Sequence, residues 1–396
     1  MEFNVPKIFL SQVTDKHQVE DFIGKLGSDR LSICAQEAPW LMAWQEAYAS
    51  LNGIELFYVT GEVEVDGQSG SRPAFFLPLQ GDVRRGVKTL SFAGANRANQ
   101  MSGLWAKEAL KQIDTDVLAD ALRDFARERG FDLIIFDNLL PELDGARHPL
   151  MSGDAQPSVH PVFIGNHEGP FADYLLASHS KASRKKQRKK KQNLQDAGDY
   201  KVVRAVSAED RKAGLEAFQD QRTKRHHLTG IPNVFATPEG NQFLAALLDA
   251  GAKDPASGLT LWWLECAGAI RATYLCTHED HRLICYTNSI AHDELTQHSP
   301  GVILLYDILE ACWTDAERFT IDLGLGHERY KQSLSEPVSM ATVYLPVTLK
   351  GRMFIKALTS VARLKSRLRQ SKTIWSAIRF LRKIKAQRQD APSSDS

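Results

Sequence analysis

The sequence predicts a mixed α/β (α+β) fold built as two tandem units of one design, followed by a basic amphipathic helix. Three observations carry that prediction. The first third reads as a helix, three strands, a helix and a strand. The second half repeats the order of three strands, helix, strand and helix. Beyond residue 350, apolar side chains recur at helical spacing among Lys and Arg. With 396 residues, 43% of them apolar, the chain has material for a large core and for two or three domains.

Trp40 to Ala49 reads as a helix. Glu55 to Val65 and Arg72 to Leu79 read as strands across a Gly- and Ser-rich turn, and Lys88 to Ala93 as a third strand. Thr115 to Arg129 places Val117, Leu118, Ala121, Leu122 and Phe125 on one helical face and ends at Gly130; Phe131 to Phe136 then forms a buried strand. Residues 141–170, with several Pro, Gly, Asn and His, read as the connection between domains. Strands follow at Leu259 to Cys266, Ala269 to Thr277 and Arg282 to Ile290, then a helix from Gly301 to Ala316, a strand from Phe319 to Leu323 and a helix from His327 to Ser333. The expected boundaries are 1–165, 166–350 and 351–396.

No apolar run approaches the roughly 20 residues needed to span a bilayer, and Met1 to Lys7 lacks the look of a secretory leader, so a cytoplasmic protein is expected. Five cysteines, Cys34, Cys266, Cys276, Cys285 and Cys312, form no CxxC pair; their odd number argues against a closed disulfide framework.

The most informative stretch is Gln297-His298-Ser299-Pro300-Gly301-Val302-Ile303, followed by Asp322-Leu323-Gly324-Leu325-Gly326 and Tyr330-Lys331. A strand that runs through a Pro-Gly turn into a helix presents unpaired first-turn amides, which suit a pyrophosphate. Ser299 is placed to cap that helix, Pro300 to start it, and Gly301 to let backbone approach a phosphate. The cofactor-binding set is therefore Gln297, Ser299, Pro300, Gly301, Val302 and Ile303. No such tripeptide follows the third strand of the first half, where Gly94 to Gly103 reads as loop; cofactor binding is accordingly assigned to the second domain.

The order of elements resembles the GNAT superfamily of acyl-CoA transferases. Closer likeness lies in Ser180-Lys181-Ala182-Ser183-Arg184, Asp196-Ala197-Gly198, Phe235, Pro238, Phe243, Ser299-Pro300-Gly301, Asp322-Leu323-Gly324-Leu325-Gly326 and Tyr330-Lys331. These resemble the CelD acetyltransferase family, associated with bacterial cellulose and exopolysaccharide production. The match covers roughly residues 30 to 350. In its doubled architecture the chain is also similar to the Fem peptidyltransferases, which use aminoacyl-tRNA. The usual superfamily loop, an RxxGxG-like pattern, is reduced here to Gln297 and Gly301.

The resemblance implies acetyl-CoA or another acyl-CoA as co-substrate, no metal, and a saccharide or other small-molecule acceptor. It also implies Tyr330 as the acid for the departing thiolate, against a plainer role in helix packing. The acceptor, an amine or hydroxyl, needs a base. Asp293 at the mouth of one strand and Glu265 on another are the first candidates, Glu328 the third. Asp322, Gly324 and Lys331 are assigned to the acceptor side, the glycines shaping the exit of the strand. His278-Glu279-Asp280-His281 lies between two alternating strands, where polar turn residues belong, so metal binding is not expected.

A net charge of +1 conceals two basic segments: residues 181–191 carry eight Lys or Arg and residues 350–389 carry thirteen, both without an acid. The first reads as an exposed helix, open to an anionic acceptor, a nucleic acid or a lipid surface. Nucleic acid is the weaker reading, because no RNA-binding aromatic motif accompanies it. The tail, with Phe354, Leu358, Val361, Leu364 and Leu368 at helical spacing, reads as a membrane-surface helix over residues 352–388 or as a helix docked on the protein body. Two alternatives stand beside acyl transfer from CoA: aminoacyl-tRNA-dependent transfer, and a non-catalytic scaffold held at the membrane by the tail.

Overall fold

The computed structural model describes residues 7–49, 53–64, 70–279, 281–313, 318–326 and 328–370. In chain order, β1 (Ile8–Val13), α1 (Lys16–Lys25) and α2 (Ala38–Trp44) come first. They lead to β2 (Glu55–Glu64), β3 (Ser71–Arg84), β4 (Val87–Phe92) and β5 (Leu104–Trp105). Next are α3 (Thr115–Glu128), β6 (Leu133–Leu139) and three short strands, β7 (Glu142–Leu143), β8 (Ala146–Arg147) and β9 (Asp154–Pro157). The second half holds β10 (Val162–Glu168), α4 (Phe171–Ser178), α5 (Lys181–Asp196), β11 (Lys201–Arg204), α6 (Ala208–Thr229) and α7 (Pro238–Lys253). It continues with β12 (Thr260–Cys266), β13 (Ala269–Glu279), β14 (Arg282–Ile290), α8 (Pro300–Cys312), β15 (Arg318–Leu325), β16 (Glu336–Val338), β17 (Ala341–Pro346) and α9 (Leu349–Gln370).

The chain forms two compact units. The first takes the described residues of 7–162, 325–326 and 337–359; the second takes those of 163–324, 328–336 and 360–370. In the first unit the strands run β1-β2-β3-β4-β6-β17-β9, with β5 beside β3. Phe75, Phe76, Leu77 and Leu79 of β3 are all fully buried, so both faces of that strand are covered. Helix α3 forms as its pattern predicts: Asp114 accepts from the amides of Asp116 and Val117, Leu118, Leu122 and Phe125 are buried, and Gly130 ends it at a φ of 72°.

Two expectations are corrected here. The stretch 141–170 is not plain connection, since it contains β7 to β10. β17, expected in the second domain, pairs with β6 and β9 in the first sheet, so the second unit does not run unbroken to residue 350. The alternation of Ala341, Val343 and Leu345 specifies a strand, but which sheet receives it is a long-range choice. Of the two readings of the tail helix, its start follows the docked one: Ile355 is buried with Val87, Leu133 and Ile135, and Phe354 packs on them. Gly351 permits this, because a Cβ there would meet the Asp132 carbonyl oxygen at 2.0 Å. The rest of the expected membrane segment, 371–388, lies outside the described residues. Among those residues no helix is long and apolar enough to cross a membrane.

In the second unit the order is β11-β12-β13-β14-β15-β10-β16. β12, β13 and β14 are antiparallel neighbours and β15 runs parallel to β14. Successive residues of β12 point to opposite faces: Gly214 of α6 sits against Leu261 and Trp263, while Trp262 and Leu264 join the cluster built on α8. The sheet is thus covered by α6 on one side and α8 on the other.

Candidate active site

Strands β14 and β15 pair in parallel over only three rungs, Arg282 with Thr320, Leu283 with Ile321 and Ile284 with Asp322. Past the last rung β14 continues to Ile290 along β13 and β15 continues to Leu325, leaving the two strands apart. An ion pair between a buried acid and a half-buried arginine marks the parting point. Asp322, 1% exposed, accepts from the Gly324 amide at 2.9 Å and lies 3.9 Å from the Arg282 guanidinium. Asp322 is thereby a residue that fixes the strands, not one that faces an acceptor.

A cavity of about 320 Å³ opens where the strands part. Its β14 wall is Asn288, Ser289 and Ile290; Ser299, Gly301 and Val302 supply the start of α8, and Tyr274 and Tyr330 close it. Arg225, His292 and Glu328 add charged or titratable groups to the lining. Packing favours a glycine at 301, since a Cβ would stand 2.8 Å from the Ile290 methyl. That glycine brings the helix start against the open end of β14, where first-turn amides have no intrahelical partners.

Ser299 does not cap α8 with its side chain. It adopts a left-handed conformation, φ 56° and ψ 55°, and its hydroxyl receives the Lys190 ammonium at 2.6 Å. Its carbonyl starts the helix, taking the amides of Val302 and Ile303 at 3.0 and 3.1 Å. Helix α5 thus brings a cation to the entry of α8, an arrangement that no loop motif reveals.

Tyr330 reaches the cavity from a turn. The expected helix 327–333 is a single 3₁₀ turn at Lys331–Ser333, because β16 begins at Glu336 and leaves too few residues for a stable helix; His327 is outside the described residues. The Tyr330 and Tyr274 hydroxyls lie 3.4 Å apart, with the Asn288 side chain at both. Burial, first of all, pushes both phenols above their ordinary range, and Tyr330 adds to the effect on Tyr274. Tyr330 is therefore a neutral proton donor at ordinary pH.

The other sequence candidates separate. Asp293 caps the short turn Glu294–His298 and binds the Arg271 guanidinium at 2.8 Å, so it does not line the cavity; its carboxylate is held by structure. Glu265 sits beside a β-bulge, opposite Lys201 and Ile270, also away from the cavity. Gln297 is exposed and bonds the Glu294 carbonyl at 3.1 Å, while Pro300 and Ile303 are buried on other sides of α8. Lys331, expected at the acceptor, is 4% exposed and pairs with Glu328 at 3.1 Å. Gly324, at φ 67°, shapes the exit of β15. Glu328, the third carboxylate named from the sequence, does line the cavity.

Sequence reasoning missed Tyr274, Asn288 and His292. Tyr274 reads as one more apolar residue in a buried strand, and Asn288 has no local signature. It also missed Arg222, whose guanidinium reaches from α6 to the Thr287 hydroxyl at 3.0 Å and the Asn288 carbonyl at 3.3 Å, holding the free end of β14. Among the described residues no group of three or more His, Cys, Asp or Glu has the placement of a metal site.

A helix N-terminus set against parted parallel strands, with a neutral tyrosine alongside, is the arrangement on which the family comparison bears. Residues 181–332 match the model of the acetyltransferase (GNAT) domain. The GNAT match thus spans α5 through the Tyr330 turn and contains every cavity residue. FemX shares the fold with 13% identity and a TM-score of 0.51, over 87% of this chain and 98% of that one. A tandem GNAT protein from the clavulanic acid biosynthesis pathway aligns at 11% identity and a TM-score of 0.46, covering 86% and 99%. A conserved protein of unknown function from Bacteroides thetaiotaomicron aligns at 14% identity and a TM-score of 0.46, covering 85% and 98%. A search of the curated proteins finds no match. The chain shares the mixed α/β fold of FemX, with mixed sheets in both units, and its GNAT-domain match lies in the second.

Proposed function

We propose that the second unit transfers an acyl group, acetyl in the simplest case, from acyl-CoA to an amine or hydroxyl of a sugar, polysaccharide precursor or envelope metabolite. The observation that carries the donor half is the cavity where β14 and β15 part, with the start of α8 on one side and Tyr330 on the other. The open edge of β14 offers peptide groups to the amides of a pantetheine arm. The first-turn amides of α8 and the Lys190 ammonium suit a diphosphate. The acceptor half rests on the resemblance to the CelD family.

In the reaction, the acceptor nitrogen or oxygen attacks the thioester carbonyl, the carbon–sulfur bond breaks, and the thiolate takes the Tyr330 proton. The acceptor's proton passes to Glu328, the candidate carboxylate that lines the cavity. Asp293 and Glu265 have no part in this scheme.

The test is a calorimetric titration of the full chain with CoA and acetyl-CoA, beside Gly301→Glu. The acid at the helix start repels the diphosphate, and the expected loss of affinity is at least about 100-fold. Far-ultraviolet circular dichroism checks that the variant folds. No binding by the wild type overturns the donor assignment, and charged tRNA then becomes the donor to test.

A further inference from the structure

The second unit contains a larger cavity that the proposed chemistry does not use. It measures about 480 Å³ and lies among α4, α5 and α8. Phe171, Leu175, Ile303 and Trp313 make its apolar wall. Tyr306 adds its ring, because its hydroxyl is already bonded to His179 at 2.7 Å and Gln187 at 2.8 Å.

Three cations of α5 stand at the rim, and only one is left for a ligand. Arg184 donates to the Leu176 and His179 carbonyls, and Lys191 pairs with Asp307, which also accepts from Tyr200. Arg188 is exposed and has no ion pair or side-chain hydrogen bond among the described residues. Glu310 is the acid on the opposite edge.

The surface around the cavity continues the same chemistry. Lys181, Lys185 and Arg188, spaced i, i+4 and i+7, share one exposed face of α5, flanked by Lys189. Beside them, at the end of α4 where Arg184 ties the two helices, Leu176 is 60% exposed. A stripe of cations next to an exposed leucine and an apolar cavity matches a surface that repeats its anions and carries hydrocarbon beneath them. A single small anion engages only one end of the stripe, and a nucleic acid leaves the apolar wall unused.

We propose that the α4–α5–α8 face docks on an anionic lipid surface, with one acyl chain entering the cavity and the lipid phosphate resting on Arg188. This does not depend on the acyl-donor reading, which concerns the other flank of α8. It also differs from a membrane role for the C-terminal helix, whose first turns are packed on the first sheet.

The experiment is vesicle flotation of the full chain with phosphatidylglycerol or phosphatidylcholine vesicles. Lys181→Glu/Lys185→Glu/Arg188→Glu removes the stripe. Ala172→Trp fills the cavity from an exposed position on its lining. Wild type is expected to float with phosphatidylglycerol alone and to be released by salt. The triple variant should lose at least about 100-fold in partitioning, and Ala172→Trp about tenfold with its charge intact. Wild-type partitioning by the triple variant overturns the surface, and wild-type partitioning by Ala172→Trp overturns the chain-binding cavity. Preferential capture of tRNA, with vesicles left unbound, overturns the lipid assignment.

Discussion

The two units carry the same device and finish it differently. In the first, β4 and β6 pair in parallel over Thr89 with Leu133, Leu90 with Ile134 and Ser91 with Ile135, three rungs like those of β14 and β15. Beyond those rungs the first unit fills the place beside β6 with its own chain. Met101 bridges Leu139 in parallel, its amide 3.0 Å from the Asn138 carbonyl, and buried Gln36 takes the amides of Ser102 and Gly103 at 2.5 and 2.6 Å. In the second unit, among the described residues, a cavity opens beside the end of β14. The difference lies in the link to the next helix: residues 93–114 are long enough to fold back into the gap, whereas 291–299 must run directly into α8. A parted pair of strands becomes a ligand site only if the chain does not satisfy its open edge first.

The most damaging change is to plug the open gap. Val302→Trp occupies it much as Met101 occupies its counterpart, and should lower acyl-CoA affinity at least about 100-fold while the melting temperature moves by only a few degrees. Unchanged calorimetric affinity would show that the cavity is not the donor site. Next, Tyr330→Phe retains the ring and removes the proton; kcat should fall by about 100-fold, with donor affinity within about threefold of wild type. An unaltered rate would return Tyr330 to a packing role.

On the closed side, Gln36→Leu leaves two buried amides without their acceptor and should cost about 2–4 kcal/mol in urea unfolding, with donor affinity unaffected. A loss of donor affinity would mean that the filled gap also serves binding. The smallest effect concerns His148, fully buried, bonded to Ser102 at 3.0 Å and pushed down to about 3 by burial. Since the folded state keeps this ring neutral and the unfolded chain protonates it below its ordinary value of 6.5, stability is complete above pH 6.5 and declines as pH falls toward 3. About 2 kcal/mol should be lost between pH 7 and pH 5, and His148→Leu should flatten that slope. Equal slopes in the two proteins would overturn this account.

Much of the fold was legible because it is local. Alternation and helical spacing place β12, β13, β14 and α8 within a few residues of their observed bounds. Ser299, Gly301, Val302 and Tyr330 do meet at one cavity, since each is tied to an element whose position the pattern implies. The carboxylates were less legible: nothing near Asp293 in the sequence announces that Arg271, on β13, will neutralise it. Lys331 has the composition of a surface residue and is buried because Glu328 pairs with it. Tyr274 and Asn288 enter the site only because the sheet sets β13 and β14 beside Tyr330.

By itself the sequence determined most elements of the two repeated units, the doubling of their order and the glycine at the start of α8, all consequences of short-range sterics and periodic burial. Tertiary structure alone decided that β17 returns to the first sheet, that a lysine of α5 meets Ser299, which carboxylates remain available, and which of two equivalent gaps stays open. Those outcomes depend on pairings between residues far apart in the chain, whose favourable energy exists only once the whole sheet has formed.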